Sequence, residues 1–101
     1  MKINEKEYNL ELTGYTLVVY KQEFKKDLFS AITEMEKGID LVTLLEILWA
    51  FLKCADSSTP NFEEFSKSIT DIKHIMSKEV MGELIGIIKK SSYRTVEEKN
   101  V

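Results

Sequence analysis

The stretch Asp40–Ala55, DLVTLLEILWAFLKCA, constrains this chain more than any other. Eleven of its positions are plainly apolar, and they fall on nearly every side of a helix rather than on one stripe. Its polar residues Thr43, Glu46 and Lys53 share one narrow sector at about 100° per residue, so they are expected to form a slim wet edge. A helix of this kind is a core helix, wrapped by neighbours on its other sides. It is shorter and more charged than the roughly 20 apolar residues that span a bilayer. Asp40 stands where an N-cap accepts from the free N–H groups of the first turn, and Trp49 is expected to be largely buried.

With 101 residues the chain is one domain by length, able to bury about 65% of its unfolded surface. Both charge signs are interspersed, and the net charge of −3 leaves no basic footprint for nucleic acid. The single cysteine, Cys54, excludes an internal disulfide and suits a reducing compartment; its place in the apolar helix predicts a buried, inert thiol. The opening Met-Lys-Ile-Asn-Glu has no apolar signal region. The expectation is a soluble cytoplasmic protein with no membrane or nucleic-acid partner.

Met1–Leu12 reads as a β-hairpin. Tyr8, Leu10 and Leu12 alternate with polar residues, Ile3 joins their face, and Asn4-Glu5-Lys6 is the polar turn. Thr13-Gly14 is expected to end the strand. Tyr15–Lys37 then has helical periodicity through Leu17, Tyr20, Phe24, Leu28, Ala31 and Met35; Lys25-Lys26-Asp27 is where it can break, with Asp27 capping a second segment. Lys37-Gly38 predicts a helix end with glycine in the left-handed cap. After the central helix, Thr59 is the expected N-cap and Pro60 the first helical position. Phe62, Phe65, Ile69, Ile72 and Met76 form the next stripe, although the weak helix formers Ser66–Thr70 predict a stop near Ser68. Ser77 is the next N-cap. Val80, Met81, Leu84, Ile85, Ile87 and Ile88 give a broad apolar face, and Gly82 and Gly86 lie on one side of that helix. Close approach of a packed neighbour is the plainer reason for the glycines, a flat docking surface the sharper one. Ser91–Val101 reads as a flexible tail after a single globular domain of residues 1–90. The predicted fold class is α+β, mostly α: a short N-terminal hairpin packed on a bundle of four to five helices.

No catalytic constellation is legible. His74 and Cys54 stand on different predicted segments, there is no Gly-rich phosphate loop, and the chain has too few His and Cys for a zinc site. Glu63-Glu64 and Glu97-Glu98 are sequence neighbours, not a facing acid/base pair. The chain is therefore read as a non-enzyme with no cofactor. Surplus apolar positions remain. Val18, Val19, Phe29, Met81 and Ile85 broaden their helices beyond one face and are the candidate partner-binding residues; methionine repacks readily against varied partners.

The order of features carries a resemblance. I-N-x-K-E-Y-x-L (Ile3–Leu10) leads into F-K-K-D-L (Phe24–Leu28). Then come D-L-x-x-L-L-x-I-L-W-A-F-L (Asp40–Leu52) and P-N-F-E-E-F (Pro60–Phe65). Over about residues 1–90 this resembles the tail assembly chaperones of long-tailed bacteriophages and prophages, especially of Gram-positive hosts. Relatives often carry Asn-Gly in the hairpin turn and Phe-Gly before the Asp-Leu; Asn4-Glu5 and Phe24-Lys25 stand here instead. The resemblance implies a non-enzymatic protein that coats the apolar, helical tape measure protein and helps tail tube subunits polymerise around it. It also implies a chain made in a short and a frameshifted long form. Self-association is compatible with it. The alternatives are a small helical adaptor that dimerises through Val80–Ile88 and an unrecognised enzyme subunit.

Overall fold

The computed structural model describes residues 1–38 and 40–100, with side-chain surroundings up to Lys90. It is a mostly helical α+β fold. A two-stranded hairpin, β1 (Lys2–Ile3) and β2 (Lys6–Glu7), precedes six helices: α1 (Gly14–Phe24), α2 (Leu28–Lys37), α3 (Leu41–Ala55), α4 (Phe62–Ser68), α5 (Ile72–Ile75) and α6 (Lys78–Asn100). Among the described residues, no helix is long and apolar enough to cross a membrane. The expected tail, Ser91–Val101, falls on residues whose side chains lie outside those described; the helical backbone of α6 continues to Asn100.

The hairpin is shorter than the alternation predicts. Its strands pair antiparallel, with Lys2 opposite Glu7 and Ile3 opposite Lys6. The turn is the two residues Asn4-Glu5, both at positive φ (51° and 66°), as a type I′ turn requires. With the turn there, position 8 faces position 1, and the Tyr8 N–H donates to the Met1 carbonyl at 2.7 Å. No described residue lies opposite Asn9–Leu12, so this run forms no ladder. Its alternation serves packing instead: Leu10 is buried in the core and Leu12 half-buried.

The long amphipathic run does break at Lys25-Lys26-Asp27. Lys25 adopts the left-handed conformation (φ 58°) and its N–H bonds the Lys21 carbonyl, closing α1. Asp27 then caps α2 by accepting from the Ser30 N–H at 2.9 Å. Two details differ from expectation. Gly14 opens α1 rather than ending a strand, because Thr13 is the N-cap and its N–H donates to Thr16 Oγ1 at 3.1 Å. Gly38 has φ 175°, so α2 ends in extended backbone with no left-handed cap.

In α3, Asp40 accepts from the Val42 N–H (3.1 Å) and the Thr43 hydroxyl (2.9 Å), as an N-cap should. The helix is buried almost continuously from Ile47 to Leu52. The expected wet edge is corrected at Glu46, which is only 8% exposed. The Tyr20 hydroxyl donates to its Oε1 at 3.3 Å and Lys26 Nζ at 3.1 Å. Two donors from the α1 side thus allow a carboxylate to sit beneath them. Trp49 is buried, and its indole N–H donates to the Pro60 carbonyl at 2.8 Å. Around it stand Phe24, edge-on at 5.7 Å, and Phe62, edge-on at 6.2 Å. Phe24 also meets Tyr20 and Phe62, each at 4.9 Å between ring centroids.

The loop after α3 caps differently from the prediction. Asn61, not Thr59, is the N-cap of α4, accepting from the Glu64 N–H at 2.9 Å. Thr59 is buried and turns back, its hydroxyl donating at 3.1 Å to the Leu52 carbonyl, which also accepts from the Asp56 N–H at 2.9 Å. Pro60 lies before the cap. α4 stops at Ser68 as its weak helix formers predict. The stop resets the helical phase. Ile69 stays buried, but Ile75 takes the inward place that the continuous stripe assigned to Ile72 and Met76, which are exposed. Ser77 accepts from the Val80 N–H at 3.3 Å and opens α6. His74 Nε2 lies 2.8 Å from the Lys2 carbonyl oxygen and joins α5 to the hairpin.

Candidate apolar docking groove

Helix α6 carries two apolar edges. Val80 and Leu84 point inward and are buried, with Ile87 half-buried one turn on. Met81, Ile85 and Ile88 repeat at +4 and +3 along a second edge, turned toward α2. Ile32 and Met35 of α2 face this edge, with Leu44 and Ile47 of α3 also lining the space between them. The side chains leave an open groove of about 300 Å³. Glu36 of α2 and Lys89 of α6 also line it, and among the described residues they are its only charged lining residues.

The apolar surface continues past the groove. Phe29 stands one turn before Ile32 on α2 and is 43% exposed; Leu41 stands one turn before Leu44 on α3 and is exposed as well. Val42, beside Leu41, is the most exposed aliphatic residue of α3.

The five sequence-predicted partner residues separate into three places. Met81 and Ile85 form one wall of the groove, and Ile85 is 44% exposed. Phe29 is exposed on α2, one turn before Ile32, and does not line the groove. Val18 is exposed on α1 and is not a groove residue. Val19 belongs to the core, since α1 presents Thr16, Val19 and Tyr20 inward; this corrects its reading as surplus. Sequence reasoning placed Met35, Leu44 and Ile47 on core stripes; Leu44 and Ile47 are buried, Met35 is half-buried, and Ile32, half-buried beside them, was on no predicted stripe. The +4, +3 spacing of Met81, Ile85 and Ile88 is the one signal that marks a second edge on α6. The expected close neighbour of Gly82 and Gly86 is also absent among the described residues: both glycines are exposed, with nothing within 4 Å of where a Cβ would stand.

Elsewhere the titratable groups are structural. Cys54 is half-buried rather than fully buried, and burial pushes its thiol up from the ordinary range despite a contact from Thr16. Cys54 and His74 line different clefts. Burial raises the Tyr20 phenol well above its ordinary value, helped by the Glu46 carboxylate beside it. Asp56, paired with Lys6 and accepting from Ser58, is held well below the usual carboxylate range. Among the described residues no three His, Cys, Asp or Glu side chains gather where they could hold a metal ion. No family model matches the chain, and no curated protein or solved structure matches it.

Proposed function

We propose that this protein is a tail assembly chaperone that holds apolar helical segments of a tape measure protein in the groove between α2, α3 and α6, and so assists assembly of the tail tube. The observation that carries the reading is the groove itself, apolar on both walls, with Phe29 and Leu41 exposed one helical turn before lining residues. A chaperone of this kind covers client stripes through weak, repeated contacts that later partners displace, and a shallow open groove suits that exchange better than a closed pocket. The left-handed residues lend a second support. Glu5 and Lys25 are two of the three non-glycine residues at positive φ, and they occupy the places where the resembled family often has glycine.

The test is co-expression with the tape measure protein encoded beside this chain. Soluble client is expected only when the chaperone is present, and Ile85→Asp is expected to remove the effect while leaving the fold intact, because Ile85 is exposed. Client that stays equally soluble alone sinks the reading. A second reading, a dimerising adaptor that uses α6, is favoured by the uncovered face at Gly82 and Gly86. It predicts a dimer by light scattering in the absence of any client.

A further inference from the structure

We infer that the groove reads charge as well as apolar shape, and that its occupant is an amphipathic helix with basic residues along one edge of its apolar stripe and acidic residues along the other. The inference rests on the docking reading above and adds selectivity and direction to it. Its basis is the composition of the two walls. The charge on the α2 wall is Glu36; the charge on the α6 wall is Lys89. Both are exposed, and among the described residues neither enters an ion pair. Lys78, Glu79 and Lys90 of α6 are likewise outside the ion pairs among the described residues but do not line the groove; the other described charges on these helices are engaged. Glu34 pairs with Lys37 at 3.7 Å, and Glu83 meets the Met1 amino group at 3.1 Å.

A helix lying in a groove turns one apolar stripe inward and shows a flanking row to each wall. A basic row against Glu36 and an acidic row against Lys89 gives attraction on both sides. Turning the helix end for end exchanges its flanks, so a mixed-flank helix fits in one direction only. A helix with two acidic or two basic flanks meets repulsion at one wall whichever way it lies. The rims therefore select mixed flanks and set the client's polarity, as rim charges do at other interfaces.

Three helical peptides with one leucine stripe and mixed, all-acidic or all-basic flanks test this by fluorescence anisotropy. The mixed peptide is expected to bind about three- to ten-fold more tightly than either other, as about one exposed ion pair per wall allows. Lys89→Glu is expected to move the preference to the all-basic peptide and Glu36→Lys to the all-acidic one. Both preferences should shrink at about 0.5 M salt. Equal binding of all three peptides, abolished by Ile85→Asp, overturns charge selection and leaves the groove as a docking site. A wild-type preference for the all-basic peptide overturns it too, since net charge alone explains that. If no peptide binds, or Ile85→Asp changes nothing, both the selectivity and the groove reading fail.

Discussion

The two flanks of α3 differ in how completely they are closed. On the α1 and α4 side, Tyr20, Phe24 and Phe62 interlock around Trp49, the indole pairs with Pro60, and the Tyr20 hydroxyl and Lys26 pair with Glu46. On the α2 and α6 side, Leu44 and Ile47 face aliphatic and methionine side chains that stand apart and leave the groove. Aromatic rings are large enough to fill the space between helices and each finds a neighbouring edge. The branched and unbranched chains of α2 and α6 do not reach across. One helix thus serves as a sealed core on one side and as the floor of an open groove on the other.

Truncation on the two sides should separate them most. Trp49→Ala is expected to cost about 3–5 kcal/mol, through lost burial and the cavity left behind. Ile85→Ala, on the open wall, should cost less than about 1 kcal/mol. Denaturant midpoints that fall equally would erase the distinction between sealed and open flanks.

A smaller effect probes the polar part of the seal. Tyr20→Phe keeps the ring and removes the donor to Glu46, and is expected to lose about 0.5–1.5 kcal/mol. A double-mutant cycle with Glu46→Gln should show coupling between the two; strict additivity would mean that the buried carboxylate does not depend on that hydroxyl.

The hairpin turn and the C-cap of α1 each hold a non-glycine residue at positive φ, Glu5 at 66° and Lys25 at 58°. Glu5→Gly and Lys25→Gly should each stabilise by about 0.5–1 kcal/mol, since relief of a left-handed side chain outweighs the extra freedom of glycine in the unfolded chain. Loss of stability in both would show that neither position is strained.

The smallest effect belongs to the ion pair that ties the hairpin to the end of α3. Asp56 has a depressed value in the folded state. Its contribution is present above the unfolded value, near about 3.9, and is lost as pH falls through the folded value. Lys6→Ala should therefore melt below the parent at neutral pH, with the gap narrowing as pH drops from about 4 toward 2. A gap that is constant with pH would remove the pair from the account.

Much of this was legible in the chain because it depends on local chemistry. The continuous apolarity of Ile47–Leu52 makes a buried helix wherever it packs. Asp27, Asp40 and Ser77 cap because a short oxygen-bearing side chain ahead of a helix reaches its free N–H groups. The break at Lys25 and the stop at Ser68 follow from charge, capping and weak helix formers in sequence neighbours. Three features needed the tertiary structure. Glu46 is buried only because Tyr20 and Lys26, 26 and 20 residues away, bring donors to it. Thr59 leaves the helix that follows it and adds a second donor to the Leu52 carbonyl of the one before, a choice set by where the chain folds back. The groove is a gap between three helices, and periodicity tells which side chains point toward a space but not whether their neighbours fill it. That depends on the distance between helix backbones, which no single helix encodes.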